Sequence, residues 1–274
     1  LIRHSSCLLI LLILLVILYF VFNEILKMNI LKYLISLTIL MLIVSCGSNR
    51  PPESGTAEEL YSRAMELFDD EDYLDAASHF EIIKLQYPAS LYADDAQFHI
   101  AEINYRRKEY IMAAFNFSLL RRIYPGSVHV KDALMKNAMC FYELSPAYDR
   151  DQDYTMKAIE SFQEFQYLYP EDSLYAEATN KIIELRNKLA YREFFTAQLY
   201  TKMDSPLSAM IYYETVINKY SDTSYFEPAF FGKIQMLVWM KRNEEAASMI
   251  GAYRKTFPNG PNINNLPTIT VSSK

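Results

Sequence analysis

Glycine is scarce in this sequence, six in 274 residues, against an ordinary share of about 7%. Folds built on tight β-turns, and nucleotide sites that cradle phosphate on glycine-rich loops, need positions without a Cβ, so both are disfavoured. No Walker-type loop, no G-x-G-x-x-G and no H-E-x-x-H run occurs. Cysteine is equally thin: Cys7, Cys46 and Cys140 leave no pair spaced for zinc and no disulfide framework. There are only four histidines to serve as ligands or bases. Positive charge is short as well. From Cys46 onward 24 basic residues face 32 acidic ones, a formal charge of −8. A nucleic-acid binder needs a basic face to neutralise phosphates, so that class is excluded.

What the chain has instead begins with two apolar runs. Residues 8–22 are fifteen consecutive apolar residues, short of the roughly 20 of a spanning helix. Met28, Asn29 and Lys32 open a second run, which passes through YLISLTILMLIV to Ser45-Cys46. A basic start, an apolar core and small residues before a cysteine resemble a bacterial lipoprotein signal. The resemblance implies cleavage before Cys46, with that sulfur carrying the lipid. On this reading residues 28–45 are the signal peptide and 46–55, polar and proline-rich, are the lipidated cysteine and a flexible tether. Translation is expected from Met28, with residues 1–27 an upstream extension. The alternative for the second run is a transmembrane anchor with an incidental cysteine.

Beyond the tether the chain repeats itself. Tyr73, Ala76, Phe80, Tyr87, Pro88 and Ser90 recur as Tyr110, Ala113, Phe117, Tyr124, Pro125 and Ser127, each shifted by 37 residues. A fixed period in this range marks a stacked helical repeat. An alanine lets two helices approach closely, an aromatic four residues on fills the gap, and a proline ends the second helix. The pattern resembles the tetratricopeptide repeat. Units are expected at about 56–88, 93–125 and 130–170, the last lengthened by an insertion at 145–153. A fourth ends near Tyr220-Ser221, with serine at the proline position. A fifth keeps Gly232, Ala246 and Phe257-Pro258. Leu174 to Met203 contains no breaker, which predicts one long helix or two nearly collinear ones. The fold class expected is all-α, a right-handed superhelix of about five tetratricopeptide-like helix pairs over 56–258. Residues 259–274 lack periodicity and are expected to be a disordered tail.

Candidates for chemistry fall away one by one. His99 and Glu102 lie a helical turn apart but have no third metal ligand. The acidic run 69–72 occupies an inter-helix turn. Glu160-Ser161 resembles the catalytic pair of lytic transglycosylases, yet the glycine-rich segment that follows in those enzymes is missing. Cys140 sits in an apolar helix pattern and reads as a small core residue. No catalytic residue, metal site or cofactor is expected, and the chain is read as not an enzyme. In a tetratricopeptide unit the first helix of each pair lines the groove. Carried over, this implies a peptide groove of Tyr61, Met65, Phe68, Phe98, Tyr105, Met135, Met139 and Tyr142. About half of these are expected to stand exposed, and the rest to belong to the inter-helix core.

A lipobox, a short tether, the Tyr-Pro-closed units at 73–90 and 110–127, and RNKLAYREFFTAQLY at 186–200 together resemble the BamD family of outer-membrane β-barrel assembly lipoproteins. The resemblance covers about residues 28–258. It implies a lipid-anchored protein of the outer membrane that faces the periplasm. Its implied partners are unfolded outer-membrane proteins and the barrel-forming, BamA-like assembly subunit. Two other readings share the compartment. One is a tetratricopeptide lipoprotein coordinating peptidoglycan synthesis or the Tol system, whose repeats usually follow a coiled coil. The other is a SusD-type nutrient-capture lipoprotein, roughly twice this length.

Overall fold

The computed structural model describes residues 55–269 together with Lys32. Lys32 apart, the expected signal peptide, Cys46, the stretch before Met28 and most of the expected tether lie outside the described residues. Ten α-helices follow one another: α1 (Ala57–Asp69), α2 (Tyr73–Gln86), α3 (Ala93–Arg106), α4 (Tyr110–Ile123), α5 (Val130–Leu144), α6 (Asp153–Leu168), α7 (Tyr175–Lys202), α8 (Pro206–Lys219), α9 (Phe226–Trp239) and α10 (Asn243–Thr256). No strand occurs among the described residues. Each helix packs chiefly on the one before it and the one after it. Such a stack is a quasi-one-dimensional solenoid. Its apolar core is accordingly five clusters in chain order, from Leu60–Ile103 at one end to Phe230–Tyr253 at the other.

The repeated residues do the same job in each unit. Ala64, Ala101, Ala138 and Ala197 are fully buried on the first helices, and Phe80, Phe117 and Phe162 on the second helices. The first helix opens with a capping box: the Glu59 amide donates to the Thr56 hydroxyl and the Thr56 amide to the Glu59 carboxylate. Each second helix closes on an aromatic residue whose amide reaches back four residues, from Tyr87 to Ile83 and from Tyr124 to Leu120. Tyr220 does the same with Ser221 after it, so the tyrosine cap forms without the proline.

The turns between paired helices show how the chain manages with little glycine. Glu71, Lys108, Asp204 and Lys241 have φ of 62°, 62°, 53° and 58°, the left-handed position that closes a helix. Around Glu71 the amides of Glu71 and Asp72 donate to the carbonyls of Phe68 and Leu67, a Schellman pair repeated at the other three turns. The third repeat has no such turn because its insertion replaces it. There buried Gln152 donates to the carbonyls of Ala147 and Arg150 and accepts from Thr155. Tyr148 of the same insertion meets Tyr191 and Phe195 of α7, ring to ring at 4.7 and 5.6 Å.

Two further findings bear on the sequence expectations. The unbroken stretch after Leu174 is a single helix of 28 residues. The tail expected to be disordered from 259 is packed as far as it is described. A short 3-10 turn at Ile263–Asn265 lets Ile263, Leu266 and Ile269 cover the last core cluster. Glu227 of α9 receives the Tyr253 hydroxyl and both the amide and side-chain nitrogen of Asn262. The physical reason is an exposed end. A solenoid's last helix pair has no following repeat to cover it, and three apolar residues supply that cover from a segment that Pro261 and Pro267 keep out of a regular helix.

Candidate peptide-binding surface

The eight groove residues lie on α1, α3 and α5, and the structure assigns most of them to the space between helices. Phe68, Phe98 and Met135 are buried, at 6, 9 and 5% exposure. Tyr61, Met65, Tyr105, Met139 and Tyr142 are partly buried against the same clusters. Three of the eight are thus core, and five keep part of their surface open to solvent.

His99 is the hub of the N-terminal part. The rings of Phe80, Phe68 and Phe98 lie 5.2, 5.1 and 5.9 Å from it, and the Tyr61 hydroxyl is 3.4 Å from its Nε2. Burial pushes the imidazole down to about 4 and the Tyr61 phenol up to about 12. Neutral His99 therefore works as an aromatic packing element, and no metal-binding cluster of three ligands exists among the described residues. His129 stacks on Phe98 at 4.3 Å and contacts Asp95 at 2.7 Å. Cys140 is fully buried, and burial pushes its thiol up to about 12, which leaves it inert as a nucleophile.

Sequence reasoning missed a series of cations laid over these rings. The Arg106 guanidinium lies 4.4 Å above Phe68, Lys136 Nζ 5.6 Å from Tyr105, and Lys181 Nζ 3.9 Å from Tyr142. In each case the ring comes from one repeat and the cation from the next. The offset in sequence changes from pair to pair, so no motif could have signalled it. One of the cations is also met by a carboxylate: Lys136 pairs with Glu102 at 2.8 Å. Lys181 lies on the Tyr142 ring, whose hydroxyl donates to Glu184 at 2.7 Å. Arg106 has a different polar partner. It is exposed and donates to the Tyr73 hydroxyl at 3.3 Å, and no carboxylate among the described residues forms an ion pair with it. Next to Lys136 a cleft of about 350 Å³ opens between α5 and α7, with Met135, Met139 and Leu174 as its apolar wall and Asp132 and Glu177 at its edge.

The family model described as outer membrane lipoprotein, YfiO, matches residues 53–251. The chain belongs to that family. Among relatives of this YfiO-family chain, the outer membrane protein assembly factor BamD of Caulobacter vibrioides is 25% identical over 206 residues, covering 75% of this chain and 68% of the relative. BamD of Rickettsia prowazekii is 23% identical over 235 residues, covering 85% and 94%. BamD of Neisseria meningitidis serogroup B is 22% identical, covering 75% and 81%. Solved structures similar to the YfiO-family chain include the TPR2AB domain–pHSP90 complex of yeast Sti1 (14% identity, TM-score 0.42, 74% of this chain and 78% of that one). A TPR repeats protein from Bacteroides fragilis is 12% identical with TM-score 0.41, covering 78% and 96%.

Proposed function

We propose that this chain is a non-enzymatic scaffold of outer-membrane protein assembly that receives unfolded barrel proteins on the face of α1, α3 and α5 and docks on the barrel-forming assembly subunit. Family membership and relatives named as outer membrane protein assembly factors support the assembly role. The observation that carries client recognition is Arg106: an exposed guanidinium packed on the Phe68 and Tyr73 rings, with no carboxylate partner among the described residues, fits a chain end that bears both an aromatic side chain and a carboxylate. The protein acts from the outer membrane, held by a lipid on Cys46 and facing the periplasm. Palmitate labelling that is lost in Cys46→Ser checks that anchor.

The test of client binding uses the full chain and a peptide ending in phenylalanine. The free-acid peptide is expected to bind more tightly than its C-terminal amide. Arg106→Ala should weaken the free acid by roughly tenfold, the loss of one charge-assisted contact, and leave the amide unchanged. Equal binding of acid and amide by the unsubstituted protein would remove this reading of Arg106.

A further inference from the structure

The outer helices of the five repeats can be compared position by position, because Ala76, Ala113, Ala158, Ala209 and Ala246 occupy one shared site and are all fully buried. Counted from that alanine, the solvent face of α4 carries Ile111, Met112, Phe115, Leu119 and Ile123, with Ser118 and Arg122 between them. Ile111, Met112, Phe115 and Ile123 are 52–59% exposed. The corresponding face of α2 reads Leu74, Asp75, Ser78, Glu81, Ile82, Leu85 and Gln86. On α6 the face holds Glu160 and Glu164, on α8 Glu214, and on α10 Glu244 and Glu245. Only α4 lacks an acidic residue throughout, although the chain as a whole carries −6. Burying none of four large apolar groups on one helix face is unfavourable at about 25 cal/mol per Å², and a contiguous patch of this kind marks an interaction surface.

Charge at the two ends of α4 describes the occupant. Lys108 stands exposed in the turn leading into the helix, and Arg122 stands exposed in its last turn. Neither forms an ion pair among the described residues. The neighbouring Arg107 and Arg121 are already taken by Glu109 at 2.9 Å and Glu164 at 2.5 Å. A second copy of this chain fits poorly: a twofold contact through α4 sets Arg122 of one copy against either Arg122 or Lys108 of the other. A flat anionic bilayer also fits poorly, since the repeats on either side present Asp75, Glu81, Glu160 and Glu164 to it. A single helix laid along α4 avoids both problems. It is about 10 Å wide and needs to span about 21 Å, the length of 14 residues at 1.5 Å each.

We propose that the outer face of α4 is a second docking site, taking an amphipathic helix of another protein. That helix presents apolar residues at i, i+3 or i+4 and i+7, with carboxylates near both ends. The site is separate from the face of α1, α3 and α5 and does not depend on what binds there.

A photoreactive benzoylphenylalanine placed at position 115 of the full chain, irradiated in intact cells, tests this. The equivalent position in the first repeat, Ser78, serves as control. The expected result is an adduct at 115, absent at 78, whose partner segment maps by mass spectrometry to an acid-flanked amphipathic helix. Met112→Asp, which copies the first repeat's residue and so should not disturb folding, is expected to cut the adduct about tenfold. Joint reversal of Lys108→Glu and Arg122→Glu should do the same. A lipid adduct, an adduct to a second copy, a partner segment without acidic flanks, no adduct, or insensitivity to the substitutions overturns the proposal.

Discussion

Where the first two repeats meet, Phe80 of one stacks on His99 of the next at 5.2 Å. Where the last two meet, the residues at the same two positions are Tyr213 and Gly232. A Cβ added to Gly232 would come within 2.5 Å of Tyr213 Cζ, so the tyrosine ring occupies the space that a side chain at 232 would need. The two ends are also closed differently. The N-terminal end relies on the Thr56 capping box and on the Tyr87 hydroxyl, which donates to the Gly55 carbonyl at 2.6 Å. The C-terminal end folds a non-helical segment back on the Glu227 carboxylate. The packing geometry is thus common to all repeats, while the residues that achieve it drift along the chain.

The largest test of that comparison sets the middle against the end. Phe117 is fully buried between neighbours on both sides, whereas Ile250, at the equivalent place in the last repeat, is 8% exposed. Phe117→Ala is expected to cost about 3–5 kcal/mol. Because each repeat touches only its neighbours, it should also split the urea transition by uncoupling the two halves. Ile250→Ala should cost about 2–3 kcal/mol, near the lower end for such truncations, and fray only the terminal pair. Equal losses with equally sharp transitions would mean that the stack melts as one block.

Gly232→Ala sharpens the comparison at a smaller scale. Overpacking against Tyr213 is expected to lower stability by about 1–3 kcal/mol in thermal or urea melts. Shortening the ring in Tyr213→Leu should then make Gly232→Ala far less costly, a coupling that a double-mutant cycle measures directly. Additive effects would show that the glycine and the tyrosine drifted independently.

The fold was legible because its cause is periodic. The spacing of Ala76, Phe80 and Tyr87 and its recurrence at 37 residues dictates helix pairs of a given length, and the lack of breakers after Leu174 dictates one long helix. Residues whose role depends on a neighbour at a variable offset were not legible. Tyr61 and Met139 have the same spacing whether they line a groove or fill a gap, and only the packing decides. Arg106 over Phe68 needs two repeats brought together before it exists. The cover formed by Ile263, Leu266 and Ile269 lies around Pro261 and Pro267, which interrupt any regular helix or strand that would have signalled a packed face.

The smallest effect tests what the two ends share. Glu71, Lys108, Asp204 and Lys241 all take φ between 53° and 62° at the same point of their turns, in a conformation that brings Cβ against the following carbonyl at a cost of about 1–2 kcal/mol. Glycine removes that clash but loses more backbone freedom on folding, about 0.5–1 kcal/mol. The net gain expected for Lys241→Gly, and equally for Glu71→Gly, is therefore about 0.5–1 kcal/mol in a urea melt. Asp204→Gly should gain least, since aspartate tolerates the left-handed region by bonding its own backbone. The gain should not depend on which end of the molecule carries the turn, because the Schellman hydrogen bonds at Lys241 and Glu71 are the same pair. A gain confined to the last two repeats would instead place the strain in the drifting sequence around Tyr213 and Gly232, and not in the turn itself.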